Sequence, residues 1–493
     1  MRRIDFLQTE PLYGIASTRH IEQLALSELL PHTLMQRAGL AVAKLALAIA
    51  PHAERFWLAC GGGNNGGDGL EAAVHLQAWG KQVVVSFLGQ SHTLPDDAAA
   101  ALSRAKDALI PFVEEPPTDF DICVDALLGI GARPIEKGSR LATCVEHITR
   151  SARPVLSVDV PSGINADTGA VDGVCVKASH TLCMLTLKPG LFTAQGRDMA
   201  QTVWLDTLGV DVSRFDQILA TARLGVSLPE VLRLHASHKG SYGDVAVIGG
   251  APGMVGAALL AATAALYSGA GRVYVGLLDA NALTCGTQHA ELMFRTPQSL
   301  LSACSNLHHS TIFVCGCGSG WLAAEPLEQL LTSQVPLIMD ADGLNAIADT
   351  PALRHLLQAR RATTTATVLT PHPLEAARLL GCSTAHIQSH RLASAEQLAQ
   401  NYGCTVVLKG SGSIIARPDT VSVINPSGNA KLATAGSGDV LAGMIAARLA
   451  RGLSAFDAAC QAVHTHGAIA DRWPDGQTLT ASQLAKGYAP RLM

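Results

Sequence analysis

Two glycine-rich strings, each carrying a carboxylate, mark where this chain could do chemistry. The first, residues 60–69, reads Cys-Gly-Gly-Gly-Asn-Asn-Gly-Gly-Asp-Gly. Gly61, Gly63 and Gly66 fit GxGxxG, a spacing that lets backbone amides approach a phosphate at a helix N-terminus. Asn65, Asp68, Asp125, Asp159 and Ser162 add oxygen atoms at the ends of predicted strands. Oxygen-only donors suit a hard cation such as potassium, magnesium or calcium. Helix capping by Asp68, with Asp125 and Asp159 as strand-ending turn residues, would leave the same signature. A plain dehydrogenase is disfavoured. The next strand, Val83 to Gly89, lacks the carboxylate that a ribose would need.

The second string, residues 432–444, reads Leu-Ala-Thr-Ala-Gly-Ser-Gly-Asp-Val-Leu-Ala-Gly-Met. The amides of Gly436, Ser437 and Gly438 are expected to face an anion, with the helix dipole adding ~0.3–1 kcal/mol per charge. Asp439 falls in the first helical turn, as an acid/base group or as a cap. Lys409-Gly410-Ser411-Gly412-Ser413 offers a lysine and flexible amides for phosphate. Thr370 to Glu375 and Asp340 to Asn345 sit at two further strand ends. No GxxxxGK[ST] occurs, so a P-loop enzyme is not indicated. Ser162 stands in Pro-Ser-Gly rather than GxSxG, which disfavours a hydrolase elbow. His235/His238, His289, His308/His309 and His464/His466 lack zinc-ligand spacing and are expected at the surface or in packing.

Strands alternating with helices must hold these groups. The first half predicts strands at 56–60, 83–88, 122–125 and 155–159, with helices at about 69–79 and 96–109. Charge and polarity rise over residues 211–236. A second series then predicts strands at 243–249, 272–278, 311–315, 335–340, 368–370 and 405–409, with helices at about 438–451 and 455–471. Such alternation implies mostly parallel sheets covered on both faces, with ligands at the carboxyl ends.

The 493 residues exceed one ordinary core. Hydrophobic residues at 48% and charged residues at 15% describe a well-buried globular chain. A net charge of -4 and no basic run exclude an electrostatic footprint for nucleic acid. The 12 cysteines are scattered and are expected to be reduced. The start lacks the apolar run of a signal peptide, so a cytoplasmic protein is expected. No charge lies between Asp244 and Arg272, but Gly249, Gly250, Pro252 and Gly253 interrupt that stretch, which favours a strand, turn and buried helix over a membrane span.

Several separated motifs resemble the NAD(P)H-hydrate epimerases: Gly62 to Gly69, Val124 to Gly131, Val158 to Gly163, Leu34 to Gly39 and Lys188-Pro189-Gly190. The resemblance covers roughly residues 5–210. It implies that Asn64, Asn65, Gly66, Gly67 and Asp68, with Gly129, Ile130, Gly131, Ala132, Arg133, Pro134 and Ile135, hold the dinucleotide. It also implies potassium on Asn65, Asp125 and Ser162, and Asp159 at the damaged ring; Lys188 is a candidate partner for Asp159 in proton transfer. From about 230 to 480 the chain resembles the ribokinase-like superfamily, and more narrowly the ADP/ATP-dependent NAD(P)H-hydrate dehydratases. Gly253 to Ala258, Asn425 to Asn429 and Thr370 to Glu375 carry that likeness. Ala257, Gly320, His372 and Asp439 are implied hydrate contacts. Lys409, Gly410, Ser411, Gly412, Ser413 and Gly438 are implied nucleotide contacts, with ADP or ATP and magnesium as cofactors. Two departures stand out: Ser413 in place of a common threonine, and Cys315-Gly316-Cys317-Gly318-Ser319-Gly320 in place of Gly-Pro-Gly-Leu-Gly.

The expectation is therefore an α/β protein: a Rossmann-like epimerase domain at 1–218, followed by a ribokinase-like dehydratase domain at 219–493. Its expected substrates are NADHX and NADPHX, the hydrates of NADH and NADPH, and a homo-oligomer is expected. The competing reading is a small-molecule kinase of the ribokinase-like type with an N-terminal ligand-binding or scaffold domain. A stable phosphoester product would mark the kinase; free phosphate with NADH would mark the dehydratase.

Overall fold

The computed structural model describes residues 1–5, 8–131, 134–225, 235–282, 289–303, 311–363 and 365–487. Ala132, Arg133, His308 and His309 lie outside the described residues. Two compact units emerge, Met1–Ala222 and Arg223–Met493.

In the first unit, β1 (Arg2–Arg3), β2 (Arg55–Cys60), β3 (Gln82–Phe87), β4 (Phe112–Val113), β5 (Ile122–Ala126), β6 (Val155–Val158), β7 (His180–Met184) and β8 (Thr202–Asp206) form one sheet. Their order is β1-β8-β7-β6-β5-β2-β3-β4. Neighbours run parallel, except that β1 is antiparallel to β8. Strands covered on both faces read as continuous apolar runs, and β2 is buried from Phe56 to Cys60. Trp57, within it, donates its indole N–H to Ser86 Oγ at 3.0 Å. Phe56 pairs with Val83 on one side and with Ile122 on the other. The chain reverses its direction of winding at β2, so the crevice beyond β2 and β5 is the ligand position of such a sheet.

Helices α1 (Ile15–Glu28), α2 (Thr33–Ile49), α3 (Asn64–Ala78) and α4 (Asp96–Asp107) belong to this unit. The start of α3 corrects the sequence reading, which began the helix at Gly69 and left Asn64 to Asp68 as a loop. Glycine disfavours helix by about 1 kcal/mol relative to alanine, so the run reads as a loop. Here packing decides. A Cβ on Gly66 would lie 2.0 Å from Gly61 O, and one on Gly67 would lie 2.6 Å from the Met35 sulfur.

The second unit has β9 (Asp244–Gly249), β10 (Arg272–Leu277), β11 (Met293–Phe294), β12 (Thr311–Cys315), β13 (Leu337–Met339), β14 (Thr367–Leu369), β15 (Thr405–Leu408), β16 (Ile414–Ala416) and β17 (Ser422–Ile424). These are ordered β11-β10-β9-β12-β13-β14-β15-β16-β17. They are parallel as far as β15, and then antiparallel. Winding reverses at β9, which lies between β10 and β12. The charge-free stretch resolves into β9, a glycine turn and α5 (Val255–Tyr267). No helix among the described residues is long and apolar enough to cross a membrane.

Helices α6 (Asp342–Asp349), α7 (Pro373–Leu380), α8 (Arg391–Tyr402), α9 (Ser437–Ala450) and α10 (Ala455–Asp471) follow. α9 packs so closely on α5 that a Cβ on Gly443 would lie 2.0 Å from Ala261 O. The ten cysteines among the described residues are free thiols, mostly buried.

Candidate functional site

The first unit gathers its predicted groups at the carboxyl ends of β2, β5 and β6. Asp125, on β5, has no solvent exposure. Ser162 Oγ donates to Asp125 Oδ1 at 2.6 Å, while Ser162 N–H and Ser157 Oγ donate to Oδ2 at 3.0 and 2.7 Å. Leu127 N–H adds a bond at 3.3 Å. Burial pushes the Asp125 carboxyl up, and these hydrogen bonds pull it back. All of those donors are uncharged, so the buried carboxylate leaves room, in charge terms, for a cation. Asn65, also buried, lies beside Gly129, where a Cβ would sit 3.4 Å from Asn65 Oδ1. The Asn65 Nδ2 is buried without a hydrogen-bond partner. Asn65, Asp125 and Ser162 are all oxygen-bearing, a donor set that suits a hard cation.

Asp159 follows β6 in a left-handed conformation, φ 66°. Carboxylate side chains tolerate that region better than most, and such residues cluster at functional sites. Its N–H still reaches Leu182 O at 2.8 Å. Asp159 Oδ1 accepts from Lys188 Nζ and, at 3.1 Å, from Met184 N–H. Lys188 is fully buried and also donates to Met184 O at 2.9 Å.

Two residues at this mouth escaped the sequence reading. Burial pushes the Glu22 carboxyl up, and the Asp159 charge adds to that. Arg19 lies over the next loop, where a Cβ on Gly131 would come within 2.6 Å of its guanidinium. Both sit on α1 three residues apart, a helical spacing with no motif around it. Burial, and then Asp159 and Glu22, hold the Asp68 carboxyl well above the usual range. Asp68 lies in the second turn of α3 rather than at its cap. Ile130 is half-buried and Gly131 and Pro134 are exposed, whereas Ile135 is buried in the core and bridges Gly173.

In the second unit the ends of β12, β13, β14 and β15 meet the start of α9. Lys409 Nζ donates to Asp340 Oδ1 at 2.6 Å and lies 4.0 Å from Glu375 Oε2. Thr370 Oγ1 donates to the same Asp340 oxygen at 2.8 Å. A Cβ on Gly438 would sit 3.2 Å from Lys409 Nζ and 3.4 Å from Asp340 Oδ2. The lysine after β15 and the glycine turn of α9 are therefore immediate neighbours. Asp439 opens α9 behind Gly436, whose φ of 90° makes the turn. Burial, followed by Asp340, pushes the Asp439 carboxyl up to about 6. One amide expected to face an anion is otherwise engaged: Ser437 N–H points to Thr434 O at 3.3 Å, because the turn closes on itself.

Ala341 is left-handed at φ 49°, between Asp340 and Asp342. Such strain costs on the order of 1–3 kcal/mol in a non-glycine residue. Asp342 Oδ2 accepts Gly320 N–H at 2.8 Å, and a Cβ on the nearby Gly318 would meet Ala257 Cβ at 2.8 Å. His372 caps α7: its Nδ1 accepts from Leu374 N–H at 3.1 Å, and its own N–H donates to Glu375 Oε2 at 2.7 Å. Burial lowers the His372 ring and raises the Glu375 carboxyl to about 7. Ala257, Gly320, His372, Lys409, Gly438 and Asp439 thus form one connected mouth. Gly410 and Ser411 lie exposed beside it, and Gly412 and Ser413 complete that turn.

Sequence reading assigned no role to Glu375, Arg391 or Cys317. Arg391 is buried and donates to Leu408 O and Lys409 O at 3.3 and 3.2 Å, fixing the lysine's backbone. Cys317, Asp340 and Asp439 have their ligating atoms within 4.8 Å of one another, the single such group of three among the described residues.

Comparison with known proteins identifies a family for each part of the chain. Residues 245–491 match the family described as NAD(P)H-hydrate dehydratase, and residues 31–190 match the family described as YjeF-related protein N-terminus. The bifunctional NAD(P)H-hydrate repair enzyme of Escherichia coli is 38% identical over 89% of this chain and 85% of its own. That of Coxiella burnetii is 36% identical over 94% of each chain. A crystal structure of the ADP/ATP-dependent NAD(P)H-hydrate dehydratase of Bacillus subtilis, co-crystallized with ATP and magnesium, is 31% identical, covering 53% of this chain and 91% of that one with a TM-score of 0.43. The chain belongs to the bifunctional NAD(P)H-hydrate repair enzymes, with an epimerase domain followed by a ribokinase-like dehydratase domain.

Proposed function

We propose that Asp439 is the base that activates the hydrate hydroxyl for phosphorylation, and that Asp159 with Lys188 carries out epimerisation. The observation that carries the dehydratase reading is the meeting of Lys409, Gly438 and Asp340 beside Asp439 at one sheet end. NADHX and NADPHX carry a hydroxyl on the ring carbon next to nitrogen. Asp439 takes the hydroxyl proton as that oxygen attacks the terminal phosphorus of ADP or ATP, and the bond from that phosphorus to its bridging oxygen breaks. Lys409, the turn through Ser413, and the Gly436 and Gly438 amides stabilise charge on the transferring group. The ring nitrogen lone pair then expels phosphate, and loss of a proton from the adjacent carbon restores the double bond. Ala257, Gly320 and His372 line the hydrate side. Magnesium, when bound with the nucleotide, would neutralise its phosphate charge.

In the first unit, the Asp159–Lys188 pair protonates the same hydroxyl. Nitrogen expels water, and water returns to either face of the iminium. Asn64 to Asp68, with Gly129, Ile130, Gly131 and Pro134, surround the dinucleotide. Asn65, Asp125 and Ser162 would hold potassium, which supplies a fixed positive charge to that mouth.

The test uses mixed hydrate epimers, with and without each nucleotide, following the return of dihydronicotinamide absorbance. Asp439→Asn should lose nucleotide-dependent recovery by ~10²–10⁴-fold while still interconverting epimers. Asp159→Asn should do the reverse. Near-normal turnover in either variant refutes that half of the assignment. A stable phosphoester product would return the second unit to a plain kinase.

A further inference from the structure

On the reading that Asn64 to Asp68 and Gly129 to Gly131 hold the dinucleotide, we propose that the Arg19 guanidinium of α1 binds a phosphate of that substrate.

Two glycines of one short loop place it. A Cβ on Gly129 would lie 3.2 Å from Asn65 Cβ, at the start of α3. A Cβ on Gly131 would lie 2.6 Å from Arg19 Nη2. The two glycines are two residues apart, so at most ~7 Å of chain separates them. The guanidinium therefore stands a short loop away from the first turn of α3. Gly63 precedes that turn and gives it no side-chain cap. Uncapped amides at a helix start and a nearby arginine fork are both donors that suit phosphate oxygens.

The charge balance of the mouth calls for such a cation. Asp68, Asp159 and Glu22 lie close enough there for each to feel the others. NADHX brings the two negative charges of its pyrophosphate, and NADPHX a further phosphate on the adenosine ribose. An acidic mouth repels such a ligand unless a positive group meets it. Lys188 is committed to Asp159 and Met184 O, and Arg104 to Glu71. Arg19 differs from both. It is exposed and, among the described residues, makes no hydrogen bond or ion pair. Its charge still reaches the site. Burial and then the Asp159 charge push the Glu22 carboxyl up, and Lys188 and then Arg19 oppose them. The guanidinium is a planar fork whose charge-assisted bonds are roughly twice as strong as neutral ones.

The experiment follows interconversion of the hydrate epimers in the full chain without nucleotide, using NADHX and NADPHX in turn. Arg19→Gln should raise KM by ~10- to 100-fold, with kcat at saturation little changed. Arg19→Lys keeps the charge and loses the fork, and should fall between. A loss shared by both substrates assigns the pyrophosphate; a loss confined to NADPHX assigns its additional phosphate. ADP-ribose and its ribose-phosphorylated counterpart lack the nicotinamide ring. Both should compete with substrate on the native chain, and each should weaken in Arg19→Gln in step with the matching hydrate. The residue is exposed, so the variant should fold, and thermal unfolding in parallel checks this. Unchanged KM for both hydrates, or a fall in kcat alone, overturns the assignment of Arg19. Failure of both probes to inhibit the native chain would instead overturn the dinucleotide reading beneath it, so the two failures are distinct.

Discussion

Lys188 meets Asp159 from a position with no solvent exposure of its own, its ammonium shared between that carboxylate and Met184 O. The aim of the carboxylate is fixed by the lysine that meets it. Removing one member of a buried pair strands the other, at a cost of about 3–5 kcal/mol. Lys188→Met should therefore lose epimerisation and destabilise the first unit together. Lys188→Met with Asp159→Leu should regain most of the stability in chemical denaturation and none of the activity. An active double variant would contradict the paired role.

Glu375 gives a stability prediction with a defined sign. Its folded carboxyl titrates at about 7, raised chiefly by burial from an ordinary value of 4.5. Between those values the folded state holds a proton that the unfolded state has released, so stability falls as pH rises through that window. It is fully present below 4.5 and spent above 7. Glu375→Gln keeps an acceptor for the His372 N–H and removes the proton. Urea midpoints between pH 4.5 and 7.5 should flatten in that variant, and an unchanged slope would show the titration lies elsewhere.

Gly443 tests how the second unit closes. Any side chain there meets Ala261 O, which belongs to a helix backbone and cannot swing away. Gly443→Ala should destabilise the second unit by about 1–3 kcal/mol despite alanine's better helix propensity. Calorimetry should find the first unit's transition unmoved.

Potassium should stabilise the first unit. An ion that binds only the folded state contributes about 2.7 kcal/mol at a hundredfold excess over its Kd. Thermal midpoints in potassium chloride against N-methylglucamine chloride should differ for the native chain and coincide for Asp125→Asn. Equal midpoints for the native chain would remove the ion from this site.

Much of this was legible in the sequence because strand ends announce themselves. β12 and α10 fall at the residues expected, and Asp125 and Asp159 stand at the carboxyl ends of their strands. The start of α3 was hidden, since a glycine-rich first turn runs against local propensity and packs tightly on Met35, Ala98 and Gly61. Arg19 and Glu22 were hidden for another reason. They reach the first site from a helix far earlier in the chain, and spacing along a helix does not say what it faces.

Asp244 and Arg272, which bracket the charge-free stretch, are ion-paired to each other, the guanidinium reaching the carboxylate at 2.6 and 2.7 Å. That clasp closes the strand–turn–helix segment at its base, yet it leaves the greasy flank of the helix waiting for a companion made some 170 residues later in synthesis. The emerging polypeptide must carry this sticky surface off the ribosome unshielded. Chains halted before Ser437 should therefore clump or recruit chaperones, however well their earlier half has matured.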